Sequence, residues 1–292
     1  MIYDSKERLR LTGRDTYFRF HSARRAWRDK GKTRHIVLCN SFPKSGTHML
    51  SQILEGAGAK KWNDIVSVQS LSGVMNTREH IAWKVGSAPN GTMVRSHLMY
   101  DPEILKILGD NGAIRFFIYR DLRDVAVSHA RWVLNEPRIF LHDIYTAFDD
   151  FDRCLMTSIK GLPLGTPTFS NCSQPDIGTD FSRWRGWLDD ASTISIKFEE
   201  LVGARGQGDE ATRMMHVKRI LEKLGVTPVN ADTLALFGSE TMNPETSHTF
   251  RKGNKGAIGS WKKFFNDGHK EAFKTVAGQT LIDLGYEQDM SW

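Results

Sequence analysis

Cysteine is scarce: Cys39, Cys154 and Cys172 are the three in 292 residues. Three is too few, and the wrong parity, for a disulfide framework, so a reducing, cytoplasmic setting is expected. Long apolar runs are also missing. None exceeds four residues, residues 36–39 being one case, whereas a membrane-crossing helix needs about 20. The first residues contain no apolar core of the secretory type, so no export signal and no membrane partner are expected. Proline is sparse at nine residues, and neither repeats nor low-complexity tracts occur. With 40% hydrophobic and 25% charged residues the chain reads as globular, which excludes wholesale disorder and collagen-like structure. The length suits one large domain or two small ones.

Charge is present in slight excess: 40 Lys+Arg against 34 Asp+Glu, a net of +6. Such a balance suits an anionic partner without saying which. Residues 1–34 hold eleven Lys/Arg and four Asp/Glu, so this segment carries more than the whole surplus. A basic arm can bind nucleic acid or a membrane surface. Here Asp4, Glu7, Asp15, Tyr17, Phe18 and Trp27 interrupt the basic residues, and a solvated extension is the plainer reading. The expected division is a basic extension over 1–34 and one domain over 35–292.

Within 35–292 short apolar runs alternate with amphipathic ones. Residues 35–41, 92–96, 114–119 and 193–198 read as strands, and 45–57, 122–134 and 209–224 as helices; Met49, Ile53 and Leu54 share one helical face. This alternation predicts an α/β fold, a single domain with a central parallel β-sheet flanked by helices. Residues 161–180, rich in Gly, Pro, Ser and Thr, read as a long loop, either a lid or an insertion without a role.

Three segments carry the chemistry. Ser41-Phe42-Pro43-Lys44-Ser45-Gly46-Thr47 joins a strand to a helix, where backbone N–H groups and the helix dipole favour an anion. Lys44 adds a charge, Gly46 close approach, and Ser45 and Thr47 hydroxyl donors; a simple helix cap at Ser45 is the plainer alternative. A Walker A loop, G-x-x-x-x-G-K-[ST], is not met, because Cys39 stands where its first Gly belongs. In the second segment, residues 119–128, Arg120 ends a strand and Ser128 follows about two helical turns later. That suits bidentate phosphate capture; its RDLRD pattern also fits a surface ion-pair network of small worth. The third, Phe250-Arg251-Lys252-Gly253 followed by Gly259-Ser260-Trp261-Lys262, is a turn-rich basic stretch that could close over an anion or simply be solvated.

In order and spacing the three together resemble the PAPS-dependent sulfotransferase family, whose members transfer a sulfuryl group from 3′-phosphoadenosine 5′-phosphosulfate (PAPS) and release adenosine 3′,5′-bisphosphate (PAP). The resemblance spans about residues 35–265 and implies a P-loop NTPase-like sulfotransferase fold. It implies that Lys44, Ser45, Gly46 and Thr47 hold the 5′-phosphosulfate. It gives the 3′-phosphate to Arg120 and Ser128, with Arg251, Lys252 and Gly253. The family's catalytic histidine falls in a motif similar to Arg95-Ser96-His97-Leu98, so His97 is the expected base and Lys44 the expected second catalytic residue. Position alone would make His97 a surface residue at a strand end.

The sequence also departs from the family. Met49 stands where an adenine-stacking Trp is common, His48 beside it is unusual, and Phe198 replaces a Tyr; both Met49 and Phe198 could still cover adenine. The span between the Lys-Gly and Gly-x-Trp elements is longer, residues 254–258. No Cys/His spacing suits a metal, and none is required. The competing readings are a P-loop-type kinase using Mg·ATP and a nucleic-acid-binding protein using the basic arm. The expected acceptor is a small molecule with a hydroxyl or amine. Asp143, Asp149, Asp150 and Asp152 could attract a cationic acceptor, although a solvated helix face accounts for them more simply. Lys274-Thr275-Val276 resembles a dimer motif without its spacing, which leaves a homodimer open.

Overall fold

The computed structural model describes residues 35–67, 76–162, 174–226 and 258–292. The basic arm 1–34, Cys172, the centre of the 161–180 stretch and the candidates Arg251, Lys252 and Gly253 lie outside these residues.

Five parallel strands form one sheet: β1 (Ile36–Ser41), β2 (Lys60–Ser67), β3 (Thr92–His97), β4 (Ala113–Tyr119) and β5 (Thr193–Lys197), in the order β2-β3-β1-β4-β5. From β1 the chain leaves toward β2, and from its neighbour β4 toward β5. Connections that diverge in this way open a crevice at the carboxyl ends of the strands, where open α/β sheets bind ligands.

Side chains alternate across a strand, and β1 divides its apolar residues accordingly. Ile36 and Leu38 enter one core, Val37 and Cys39 the other. The first core is covered by α2 (Arg78–Ser87), α3 (Pro102–Asp110), α4 (Leu122–Asn135) and α11 (Asp267–Asp283). The second is covered by α1 (Thr47–Gly56), α9 (Phe198–Leu201) and α10 (Glu210–Lys223). The result is the sheet between two helical layers that the strand–helix alternation predicts. Met49, Leu50, Ile53 and Leu54 of α1 are fully buried. At about 1.5–3 kcal/mol per such side chain, they fix the helix that follows the loop of residues 42–46. The helices α5 (His142–Thr146), α6 (Phe151–Lys160), α7 (Ile177–Ser182) and α8 (Gly186–Asp189) complete the described α-helices, and short 3-10 turns span Ala204–Gly206 and Ser260–Lys263.

One expectation needs correction. The stretch 161–180 is not loop throughout: Leu162 bridges Gln174, and α7 begins at Ile177, capped by Asp176, whose carboxylate accepts the Thr179 N–H at 2.8 Å. The acidic group beside it matches the reading as a solvated face. Asp150 caps α6 by accepting the Arg153 N–H at 2.7 Å, Asp152 accepts from Asn266 at 3.0 Å, and all four aspartates are exposed. Strand β2 and helices α2, α3, α6 and α11 had no counterpart in the sequence reading.

The edge of β3 is fastened to β1 by one side chain. Asn40, fully buried, donates to the Leu98 carbonyl at 3.0 Å and accepts from Ser96 Oγ at 2.8 Å and Leu98 N–H at 2.9 Å. His97 sits between these two anchored residues. Replacing Asn40 with Ala strands the Leu98 N–H and the Ser96 hydroxyl, each costing about 1–3 kcal/mol when buried without a partner. We therefore expect Asn40→Ala to lower unfolding stability by about 2–4 kcal/mol in a denaturant titration; a loss below about 0.5 kcal/mol would contradict this role.

Candidate active site

The loop Phe42–Gly46 joins β1 to α1 and is bent by two unusual residues. Lys44 has φ +67° and Gly46 φ +106°. For lysine this left-handed conformation costs about 1 kcal/mol or more and is held only by its surroundings. Gly46 has a second reason to lack a side chain: a Cβ there would lie 2.6 Å from Phe198 Cδ2. Gly46 also serves as the N-cap of α1, and no side chain caps the helix. The plain-cap reading of Ser45 therefore fails. The Ser45 hydroxyl is buried with no hydrogen-bond partner, an arrangement native structures avoid unless a ligand or a functional role explains it.

Lys44 is only partly exposed, and its Nζ lies 4.7 Å from the centroid of Trp132 on α4. Burial lowers its pKa to about 8. Beside it His129, also on α4, bonds Ser158 Oγ at 2.9 Å, and that hydroxyl meets Tyr145 OH at 3.0 Å. Burial first, and then the Lys44 charge, hold His129 at a pKa of about 4, so it is neutral at pH 7 and does not compete with Lys44 as a cation.

His97 ends β3, with Nδ1 3.0 Å from the Ser41 carbonyl oxygen and 3.1 Å from Ser41 Oγ. A carbonyl can only accept, so Nδ1 carries the hydrogen and Nε2 keeps its lone pair. Ser41 Oγ in turn lies 2.6 Å from Thr47 Oγ1. One polar chain thus links the histidine to the first residue of α1. Burial lowers the His97 pKa below 6.5, outweighing the Ser41 bond; the charges of Lys44 and Arg95 act in the same direction.

Arg120 lies just past β4, nearly buried, with its guanidinium 4.3 Å from the Phe198 ring and 3.1 Å from Asp124 Oδ2. Phe198 thus lies close to both the Gly46 backbone and the Arg120 guanidinium. The RDLRD pattern is not a surface network: Arg120, Asp121, Arg123 and Asp124 are all buried. Asp124 accepts from Gly259 N–H at 3.0 Å, Ser260 Oγ at 2.8 Å and Trp261 N–H at 2.9 Å. Arg123 binds the Asp121 carboxylate with both Nε and NH2, at 2.8–3.2 Å, and also pairs with Glu287. Burial works against its charge, but these two carboxylates raise its pKa. Asp121 N–H donates to Glu199 at 3.0 Å, and Tyr286 OH donates to the same carboxylate at 2.8 Å.

Ser128 is half-buried on α4, and His48 is exposed on the first turn of α1. Met49 has no exposed surface and Phe198 has 1%. Residues the sequence reading passed over are Ser41, Asp124, His129 and Trp132. Only Asp124 left a signal, its i,i+4 spacing from Arg120. Among the described residues, no cluster of three or more His, Cys, Asp or Glu could hold a metal ion, and no helix is long and apolar enough to cross a membrane.

Solved structures share this architecture. The mouse sulfotransferase SULT7A1 complexed with PAP aligns with a TM-score of 0.58 and 17% identity, covering 91% of this chain and 92% of its own. Retinol dehydratase in complex with androsterone and PAP aligns at 0.52 and 13%, over 89% and 86% of the two chains. The same enzyme with retinol and PAP aligns at 0.51 and 14%, over 85% and 81%. This chain has the sulfotransferase fold. No protein-family model matches its sequence, and neither does any curated protein. In this sulfotransferase fold Lys44, Ser45, Gly46, Thr47, His97 and Arg120 all gather at the carboxyl edge of the central strands.

The stranded Ser45 hydroxyl yields a prediction of opposite signs. Ser45→Ala should leave the ligand-free protein as stable or more so, by up to about 1 kcal/mol, since an unpaired buried hydroxyl is removed. The same change should weaken PAP binding several-fold. Thermal unfolding with and without PAP checks both; a clear loss of ligand-free stability would show that Ser45 has a structural role instead.

Proposed function

We propose that the chain is a PAPS-dependent sulfotransferase, moving a sulfuryl group to the hydroxyl or amine of a small molecule. The observation that carries this reading is the buried, partnerless Ser45 hydroxyl in a strained, uncapped loop beside Lys44. It suits an anion held by hydroxyl, ammonium and helix start. The order of motifs supports it, as does the fold, whose solved examples hold PAP.

PAPS supplies the sulfuryl group and leaves as PAP. Thr47, Ser45 and the start of α1 hold the 5′-phosphate, and Arg120 with Ser128 holds the 3′-phosphate. His97 Nε2 takes the acceptor's proton as its oxygen or nitrogen bonds sulfur; the sulfur–oxygen bond to the 5′-phosphate breaks. Lys44 neutralises charge building on that oxygen. Positioning and electrostatics do most of the work, as in phosphoryl transfer. A fixed tautomer and a lowered pKa suit His97 to act as base at neutral pH.

The acceptor class is argued from retinol dehydratase, which holds androsterone or retinol beside PAP. Cys39 and Cys154, free and buried, suit a cytoplasmic setting. A Walker-type kinase fits less well. Cys39 lies inside β1, which leaves five loop residues, 42–46, before α1.

With sulfur-labelled PAPS and a panel of small alcohols, phenols and amines, His97→Asn should lower turnover by about 10²–10⁴ while PAP affinity stays unchanged. Unimpaired turnover would remove His97 from the base role. The pH profile of kcat/KM should be bell-shaped. Its acid limb falls below 6.5, where His97 takes up a proton. Its alkaline limb falls near pH 8, where free Lys44 loses its charge. In kcat the alkaline limb should move upward, because a bound anion favours charged Lys44; a kcat/KM profile that stays flat across pH 8 would contradict this.

A further inference from the structure

We propose that Trp292 is a positioning residue for the 3′-phosphate of the bound nucleotide, acting through Arg123, Trp261 and Asp124 on Arg120. This inference rests on the nucleotide reading given above.

The connection is a chain of direct contacts. The Arg123 guanidinium lies against two indoles, 4.1 Å from the Trp261 centroid and 4.6 Å from that of Trp292. The two indoles meet edge to face at 5.7 Å, and Phe273 supports Trp292 at 6.0 Å. The Trp261 N–H bonds Asp124 Oδ1, and Asp124 Oδ2 bonds the Arg120 guanidinium. Arg120 therefore depends on an aspartate whose other donors, Gly259 N–H, Ser260 Oγ and Trp261 N–H, belong to one short turn. The packing of Trp261 against Arg123 and Trp292 fixes that turn.

Trp292 holds its place without a hydrogen bond of its own. Its Nε1 is buried and has no partner, an unfavourable state for an indole N–H. Ring packing and the cations on its face must outweigh that cost; Lys274 Nζ adds a second at 5.4 Å. Without the ring, one face of Arg123 opens to solvent and Trp261 loses its edge contact. The turn then loosens and Asp124 no longer holds Arg120 in a single pose. Lys44, Ser45 and Thr47, which hold the 5′ end, are not part of this chain of contacts.

The test separates positioning from general damage by using two probes. Titration calorimetry on the full chain measures PAP, which carries the 3′-phosphate, and AMP, which lacks it. Trp292→Ala should weaken PAP about tenfold, the scale of a partly desolvated cation–π contact, and should leave AMP within about twofold. Trp292→Phe, which keeps a ring face for Arg123, should recover most of the PAP affinity. In an Arg120→Ala background Trp292→Ala should add nothing. Equal weakening of PAP and AMP, or no weakening of PAP, overturns the inference. If Trp292→Ala does not fold, Trp292→Leu, which keeps apolar volume without a ring, is judged by the same criteria. Absence of PAP binding by the unaltered protein overturns the nucleotide reading, and this inference with it; that result is distinct from intact PAP binding in all variants.

Discussion

Asp124 is the constraint on which the site depends. A carboxylate 1% exposed is costly unless its oxygens are satisfied. Here one oxygen takes Ser260 Oγ and Trp261 N–H, and the other takes Gly259 N–H and Arg120. The folded chain must therefore bring residues 259–261 against the start of α4. Once it does, Arg120 is aimed and the charge is compensated. Breaking such a network from one side costs more than its net contribution, because the remaining charge stays buried.

Around this centre the site is built by stacking and by sharing donors. Phe198 packs close to both the Gly46 backbone and the Arg120 guanidinium, so the 5′ and 3′ halves of the proposed nucleotide site share one aromatic neighbour. Ser41 joins His97 to Thr47, so the proposed base and the anion loop share one hydroxyl. Both links run between elements distant in sequence. The parallel sheet brings them together by placing the carboxyl ends of β1, β3, β4 and β5 side by side.

Much of the fold was legible in the sequence, for local reasons. β1 and β4 are short apolar runs, buried on both faces, and α1 and α10 carry clear apolar stripes. β2 escaped because an edge strand with the sequence KKWNDIVS has no apolar run. α11 escaped because Gly268 and Gly278 interrupt its pattern. In the site, the motif residues at strand ends were legible by type and order. Whether a residue faces a ligand or the core was not. Met49 and Phe198 each fit two environments, and both are buried. The RDLRD segment looked solvated because its partners, Glu199, Trp261 and Glu287, lie 78, 137 and 164 residues away in the chain.

The central claim is that the crevice between β1 and β4 is a site for a 3′,5′-bisphosphate nucleotide. Calorimetric titration of the full chain with PAP, without added metal, and separately with Mg·ATP tests it most directly. The account predicts saturable binding of one PAP per chain and markedly weaker or no binding of Mg·ATP. Tight binding of Mg·ATP with none of PAP would contradict it.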